Sequence, residues 1–262
     1  MENFNGQVLT RLLSGKLIGS SVHFFHEVAS TNDVAFSLAL KGISEGAVII
    51  ADAQKRGKGR LNRTWQSPAG SNLYISIIIR PSTESACASQ ISLMAGVAVA
   101  ELLCPYCPSV ALKWPNDVQV GGKKMSGILT EMRASGKEVE FVVVGIGINV
   151  NMKREVFDGD IRKVSTSLRE ETGADISRVA LTVKLCDNFE RWYKKYIREG
   201  FGPVRDAWLG YSIKEMYTKV VSGDKVQKGQ VIGIDETGAL LLIDENKITR
   251  QIIAGDVSII KD

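Results

Sequence analysis

The sequence has no uninterrupted apolar run approaching membrane length. Its first residues, MENFNGQVLT, lack the basic-then-apolar order of an export signal. Both absences point to a soluble, cytoplasmic protein. Histidine is scarce: His23 and His26 stand at no spacing that completes a zinc site. Of the four cysteines (Cys87, Cys104, Cys107 and Cys186), two form Cys104-Pro-Tyr-Cys107, with the C-x-x-C spacing of a redox pair. Such a pair belongs at the start of a helix, where the dipole acidifies the first thiol. Here it follows an expected helix, Gln90 to Leu103, and reads as a loop feature. Strong charge of one sign is also missing, because the net charge is +4 over 262 residues. Overall charge gives no case for a nucleic-acid partner. The P-loop is absent too, since no Gly-Lys is followed by Ser or Thr at the required offset.

What is present is 44% hydrophobic residues, enough for one large domain with a substantial core and a small second domain. The chain is organised around Gln54 to Trp65, QKRGKGRLNRTW. Five cations, Lys55, Arg56, Lys58, Arg60 and Arg63, surround Gly57 and Gly59. Apolar runs on either side, AVIIA from Ala47 and LYISIIIR from Leu73, predict strands. Glycine lets main chain approach a ligand closely, and lysine and arginine neutralise phosphate or carboxylate. A charge run is commonly no more than a solvated turn. Taken alone, this one specifies an anion without saying which.

Upstream, Ser30-Thr-Asn-Asp33 precedes a helical pattern (Val34, Ala35, Leu38, Ala39), and Ser30 with Asp33 fits a capping box. The same hydroxyls and amide also suit a polar ligand head at a helix N-terminus. Downstream, Val110–Lys113, Val118–Val120, Met125–Arg133 and Glu138–Ile148 predict short strands. Gly121-Gly122 and Ser135-Gly136-Lys137 mark the turns between them. This is an antiparallel meander with the apolar helix from Gln90 and other helices packed on one face: an α+β arrangement. Two constellations lie on it. In Lys113-Trp-Pro-Asn-Asp117, Pro115 ends a strand and leaves Asn116 and Asp117 at its tip, with Lys123 and Lys124 close behind. Gly145-Ile-Gly147-Ile-Asn149 resembles half a dinucleotide fingerprint, but Val150 stands where a third glycine is needed. Glycines alternating along a strand instead clear one face of the sheet for a flat ligand.

Ser165-Thr-Ser-Leu168 leads towards a long amphipathic helix, about Ser177 to Arg198. Its stripe Leu181, Leu185, Phe189, Trp192, Tyr196 is core. Gly200 and Gly202 end that helix and Pro203 opens a short one to about Tyr211. From Thr218 the segments VIGID, ALLLI, KITRQII and VSII alternate with SGD, ETG and DEN turns, predicting a small β-barrel. The expected domains are 1–213 and 214–262.

Five motifs, Ser30-Thr-Asn32, Gln54 with GKGRLNRTW, KWPND, KKMSGIL and GIGIN, occur in the order and spacing that resemble biotin protein ligases. The resemblance implies a mainly antiparallel catalytic sheet of the class II aminoacyl-tRNA synthetase type, with an SH3-like C-terminal barrel. It implies an enzyme that activates biotin with ATP and Mg²⁺ as biotinyl-5'-AMP, then transfers biotin to a lysine of a carboxyl carrier protein. It further assigns Lys124, Arg60 and Asp117 to catalysis. Ser30, Thr31, Asn32, Gln54, Lys58, Gly59, Arg60 and Lys124 would bind biotin. Gly57, Lys58, Arg60, Trp65, Asn116, Asp117, Gly145, Gly147 and Asn149 would bind the nucleotide. No side-chain metal site is implied beyond Mg²⁺ near Asp117, where that carboxylate would orient Arg60 or take a proton from the incoming lysine. Lys58 stands for the usual arginine, and Leu61-Asn62 for the common Arg-Gly. Too few residues precede Ser30 for a helix-turn-helix, so neither DNA binding nor repression is expected. A homodimer is compatible with the resemblance. Two readings stand against it: a lipoate ligase on the same scaffold, and a nucleic-acid-binding protein using Lys55 to Arg63.

Overall fold

A computed structural model describes residues 4–82, 88–213, 217–222 and 225–259. Helix α1 (Gly6–Leu13) leads to strand β1 (Val22–Val28), α2 (Thr31–Leu40) and β2 (Val48–Gln54). A short 3₁₀ turn at Arg60–Asn62 precedes β3 (Leu73–Ile79) and α3 (Ala88–Leu103). The meander follows as β4 (Val110–Lys113), β5 (Asp117–Val120), β6 (Lys123–Ser135) and β7 (Glu138–Ile148). Next come α4 (Ile161–Val164), α5 (Leu168–Thr172), α6 (Arg178–Glu199) and α7 (Gly202–Tyr211). The chain ends in β8 (Tyr217–Ser222), β9 (Lys225–Ile234), β10 (Leu240–Ile243), β11 (Thr249–Ile252) and β12 (Asp256–Ile259).

Seven strands form one sheet in the order β1-β2-β3-β7-β6-β5-β4. Only β1 and β2 pair in parallel, joined by the α2 crossover; the remaining pairs are antiparallel. α1 and β1 lie outside every pattern read in the sequence. The central strands are apolar on both sides because both faces are covered. Residues of even number on β7 (Val142, Val144, Ile146, Ile148) enter the large core with Ile75, Ile77, α3 and α6. Their odd neighbours face the other way. Phe141 and Val143 pack with Ile49, Ile78, Ala35 and Ala39 in a second cluster under α2. Helices therefore cover both faces, which corrects the expectation of one. Period-two alternation carries this division. Past Val143 the odd positions become Gly145 and Gly147, and apolar packing under α2 gives way to a cavity.

The α6 stripe (Leu181, Leu185, Phe189, Trp192, Tyr196) is buried as expected. Ser177 caps that helix by accepting from Ala180 N, and a proline opens α7. The five C-terminal strands form a separate antiparallel sheet, β11-β10-β9-β8-β12. The expected domain break at 213/214 and most of the SGD turn fall on 214–216 and 223–224, outside the described residues; so does Ile260 of VSII. Side chains from residues before 213 donate to main-chain carbonyls in the strands and turns of this C-terminal region, among them Ser89 Oγ to Thr237 O (3.4 Å). Trp114 Nε1 reaches Gly238 O (3.0 Å), Gln90 Nε2 reaches Glu236 O (3.2 Å), and Arg205 Nε reaches Ile234 O (3.1 Å). Arg60 Nη2 reaches Gly255 O at 3.2 Å. The Cys104/Cys107 pair follows the C-terminal end of α3, and burial pushes the Cys107 thiol up to about 11. That is the reverse of redox acidification.

Candidate active site

A cavity of about 250 Å³ opens on the odd face of β7, floored by Gly127, Gly145 and Gly147. Ser30, Thr31, Asn32 and Gln54 lie at one wall, and Lys58, Gly59, Arg60 and Trp65 come from the cationic loop. Asn116, Asp117, Lys124 and Asn149 come from the meander. Residues scattered over 120 positions meet here because β2, β3, β7, β6 and β5 are neighbours in the sheet.

The polar wall is built by cross-bracing. Gln54 Oε1 accepts from Thr31 N (2.8 Å) and Thr31 Oγ1 (3.2 Å), while Gln54 Nε2 donates to Ser67 Oγ (2.9 Å). Ser30 is the N-cap residue of α2, yet its side chain makes no capping bond. The capping box is therefore corrected: Gln54, on a neighbouring strand, supplies the acceptor that the first turn needs. Ser76, fully buried on β3, lies 2.8 Å from Thr31 Oγ1 and 2.7 Å from Asn32 Oδ1. Asn32 Nδ2 donates to Glu131 Oε2 (2.7 Å) and Leu129 O (3.2 Å). Both ends of the Asn32 amide are engaged by protein, which braces the wall.

Asn32 and Trp65 sit against the glycines of the cavity floor. A Cβ on Gly145 would lie 2.1 Å from Asn32 Oδ1, and one on Gly147 would lie 2.5 Å from the Trp65 indole. These glycines admit Asn32 and Trp65 to the sheet surface at the cavity floor, where a larger side chain would collide with them. Gly57 belongs to the loop's own packing, not to the cavity lining: a Cβ there would meet Trp65 O at 2.3 Å and Ser67 Oγ at 2.6 Å. Trp65 Nε1 is buried without a hydrogen-bond partner.

The cations are distributed unevenly. Lys58 pairs with Asp33 and stands 3.9 Å from Glu131. Its hydrogen bond to Asp33 raises its pKa against the opposing effect of burial. Lys124 Nζ lies 2.6 Å from Asp117 Oδ1 and 5.5 Å from the centroid of the Trp65 ring. The approach to Asp117 lies outside hydrogen-bond angles, so Asp117 Oδ1 remains buried with no directed donor. Arg60 donates to Asn116 Oδ1 at 3.3 Å and to Gly255 O at 3.2 Å. Asn116 and the C-terminal sheet thus orient Arg60, and Asp117 partners Lys124. Asn149 Nδ2 donates to Thr166 O (3.0 Å), and Asn149 N donates to Met125 O (2.9 Å), which fixes the start of β6. Asn149 supports Lys124 from behind.

Sequence motifs do not flag Ser76, which braces the wall from behind without lining the cavity, nor several residues that do line it. Ser76 announces itself only as a hydroxyl inside an otherwise apolar strand. Met152, Phe157, Ile161 and Val164 close the far wall. They come from a short, mostly charged stretch whose apolar spacing is too brief to mark an element.

Residues 24–149 match the biotin/lipoate A/B protein ligase family, and residues 218–259 match the biotin protein ligase C-terminal domain. The bifunctional ligase/repressor BirA of Bacillus subtilis is 33% identical over 251 residues, covering 94% of this chain and 76% of that protein. A biotin–[acetyl-CoA-carboxylase] ligase of Paracoccus denitrificans is 35% identical over 220 residues, covering 81% and 90%. The Aquifex aeolicus biotin protein ligase, solved with biotin and ATP, superposes with a TM-score of 0.79 at 30% identity, covering 92% of this chain and 99% of that one. The chain belongs to the biotin protein ligase family.

Proposed function

We infer that this enzyme joins biotin to AMP and passes the biotinyl group to a lysine of a carboxyl carrier protein. The observation that carries the reading is the polarity of the cavity: neutral, cross-braced hydrogen-bonding groups at one end, Lys124 and Arg60 at the other. A ligand with a neutral polar ring and an anionic tail matches that gradient. Ser30 and Thr31 hold the ring, with Gln54, Ser76 and Asn32 bracing them. Lys124 meets the carboxylate.

In the first step a carboxylate oxygen attacks the α-phosphorus of ATP, a new P–O bond forms, and pyrophosphate departs with the electrons of the broken one. Two anions must approach, so preorganised cations contribute most of what protein side chains can add. Lys124 is held in position by Asp117 and Trp65, and Arg60 by Asn116 and Gly255. Lys58 begins paired with Asp33, and its charge becomes available when the ligand replaces that partner. Among the described residues no group of three or more His, Cys, Asp or Glu is placed to hold a metal. Mg²⁺ that arrives with a nucleotide needs only one or two protein carboxylates, and Asp117, a cavity-lining carboxylate ion-paired with Lys124, would be the group to meet it. Mg²⁺ held there would supply positive charge to offset that of the departing pyrophosphate. In the second step the carrier lysine attacks the acyl carbon, AMP leaves, and Asp117 or water takes the proton.

The acceptor is a carrier domain of the acetyl-CoA carboxylase type. The catalytic unit spans 1–213 with a sheet of the class II aminoacyl-tRNA synthetase kind, and 214–262 form an SH3-like barrel. The antiparallel strand orders support both comparisons. The proposed compartment is the cytoplasm; no helix among the described residues is long and apolar enough to cross a membrane. The deciding experiment is exchange of labelled pyrophosphate into ATP, run with biotin, with lipoate and with neither. Biotin-dependent exchange is expected. Exchange driven by lipoate alone would assign the other substrate, and no exchange would remove the ligase reading.

A further inference from the structure

Two segments far apart in sequence roof the cavity: the cationic loop ending at Gln66, and the stretch from Met152 to Ser165. One side chain ties them. Gln66 Nε2 donates to Val156 O at 2.8 Å, and Gln66 Oε1 accepts from Asp158 N at 3.2 Å. Both ends of one carboxamide thus engage main chain on either side of Phe157. Phe157 itself is 3% exposed and lines the cavity. The partners are backbone groups, so the tie depends on the glutamine and not on the side chains of residues 156 and 158. Gln66 also follows Trp65 directly, and Trp65 N donates to Gly57 O at 2.8 Å. A displacement of the 156–158 backbone is therefore felt at Trp65 and the loop glycines.

We propose that Gln66 is a positioning residue that clasps the cationic loop to the Val156–Asp158 main chain, so that the two segments close as one over the acyl-adenylate. The proposal rests on the ligase reading above and adds how the intermediate is retained. Without the clasp the chemistry of adenylate formation is intact, because both ends of the Gln66 carboxamide are spent on Val156 O and Asp158 N. What changes is retention: the anhydride escapes and is cleaved by bulk water to biotin and AMP.

The test compares the unsubstituted chain with Gln66→Ala and Gln66→Met, the latter near in length but without the amide. Trypsin has sites within the tied stretch at Lys153, Arg154, Arg162 and Lys163. On ligand-free protein, cleavage there should rise about tenfold in both variants at an unchanged melting temperature, the factor that ~1.4 kcal/mol corresponds to. With biotin and ATP, the single-turnover burst of pyrophosphate should persist while the lifetime of bound adenylate falls by about the same factor. Unchanged proteolysis, or full retention in Gln66→Met, overturns the clasp. Loss of the burst in a folded variant also overturns it, since Gln66 would then act in the chemistry. Absence of a burst in the unsubstituted protein sinks the ligase reading, whereas the ligand-free proteolysis still reads the clasp.

Discussion

At the scale of single residues, the site contains two kinds of polar group: those whose hydrogen bonds are completed by protein and those left for a ligand. Gln54, Asn32 and Asn149 are of the first kind. Under the proposed function Lys124 is of the second: it is ion-paired with Asp117 at 2.6 Å and faces the cavity. Lys124→Ala is expected to cut biotin-dependent pyrophosphate release by ~10²-fold or more, the scale for removing a preorganised charge partner; near-normal release would refute the assignment. Gly147 is a different case, because its backbone is ordinary and only space is at issue. An added Cβ would stand 2.5 Å from the Trp65 indole. Gly147→Ala should displace Trp65, red-shift its fluorescence and slow adenylate formation, and a companion Trp65→Leu substitution should remove the fluorescence change altogether. A shift that survives in the double variant would locate the disturbance elsewhere. The identities of these residues are legible in sequence, since each sits in a short motif. Their partners are not: Asn32 meets Glu131 from a position 99 residues away, and nothing local marks that carboxylate.

At the scale of elements, strands and helices follow from periodicity, while ends and caps depend on neighbours. The α6 stripe and the β6–β7 hairpin obey spacing alone. The α2 N-terminus does not, because its acceptor comes from Gln54 on an adjacent strand. In the C-terminal sheet the turn after β9 is locally encoded. Asp235 Oδ1 accepts from Thr237 N (2.8 Å), Thr237 Oγ1 (2.7 Å) and Ala239 N (3.0 Å). Burial works to raise the Asp235 pKa, but the bonds from Thr237, Gln251 and Ala239 outweigh it and hold the carboxyl below its usual range. A depressed carboxyl contributes stability above its unfolded pKa of about 3.9, and that contribution is lost as pH falls through the lower folded value. Asp235→Ala should therefore cost about 1–2 kcal/mol near neutral pH in urea unfolding. The gap from the parent should narrow below about pH 4. A gap that widened in acid would contradict the sign.

At the scale of the whole molecule, the C-terminal sheet is an accessory to the cavity as well as a neighbour. Gly255 O holds Arg60 on one side, and Gly238 O receives the Trp114 indole on the other. Trp114 is 5% exposed, and its position just before Pro115-Asn116-Asp117 places a contact with the C-terminal sheet beside the cavity-lining Asn116 and Asp117. Trp114→Phe keeps the ring's apolar bulk and leaves the Gly238 carbonyl without that donor. It is expected to cost about 1–2 kcal/mol and to raise hydrogen exchange at residues 236–240 before the seven-stranded sheet responds. Uniform exchange across both sheets would show the contact to be of no separate consequence.

The sequence by itself determined the α+β class, the antiparallel meander and most of the cavity's residues. Alternation, turn glycines and five short motifs are local properties, and each can be read without knowing what lies across the sheet. Only the tertiary structure decided that helices cover both faces, that Gly145 and Gly147 make room for Asn32 and Trp65, and that Asp117 partners Lys124 while Asn116 holds Arg60. Those outcomes depend on strand order and on which side chains meet through space, and spacing along the chain carries no record of either.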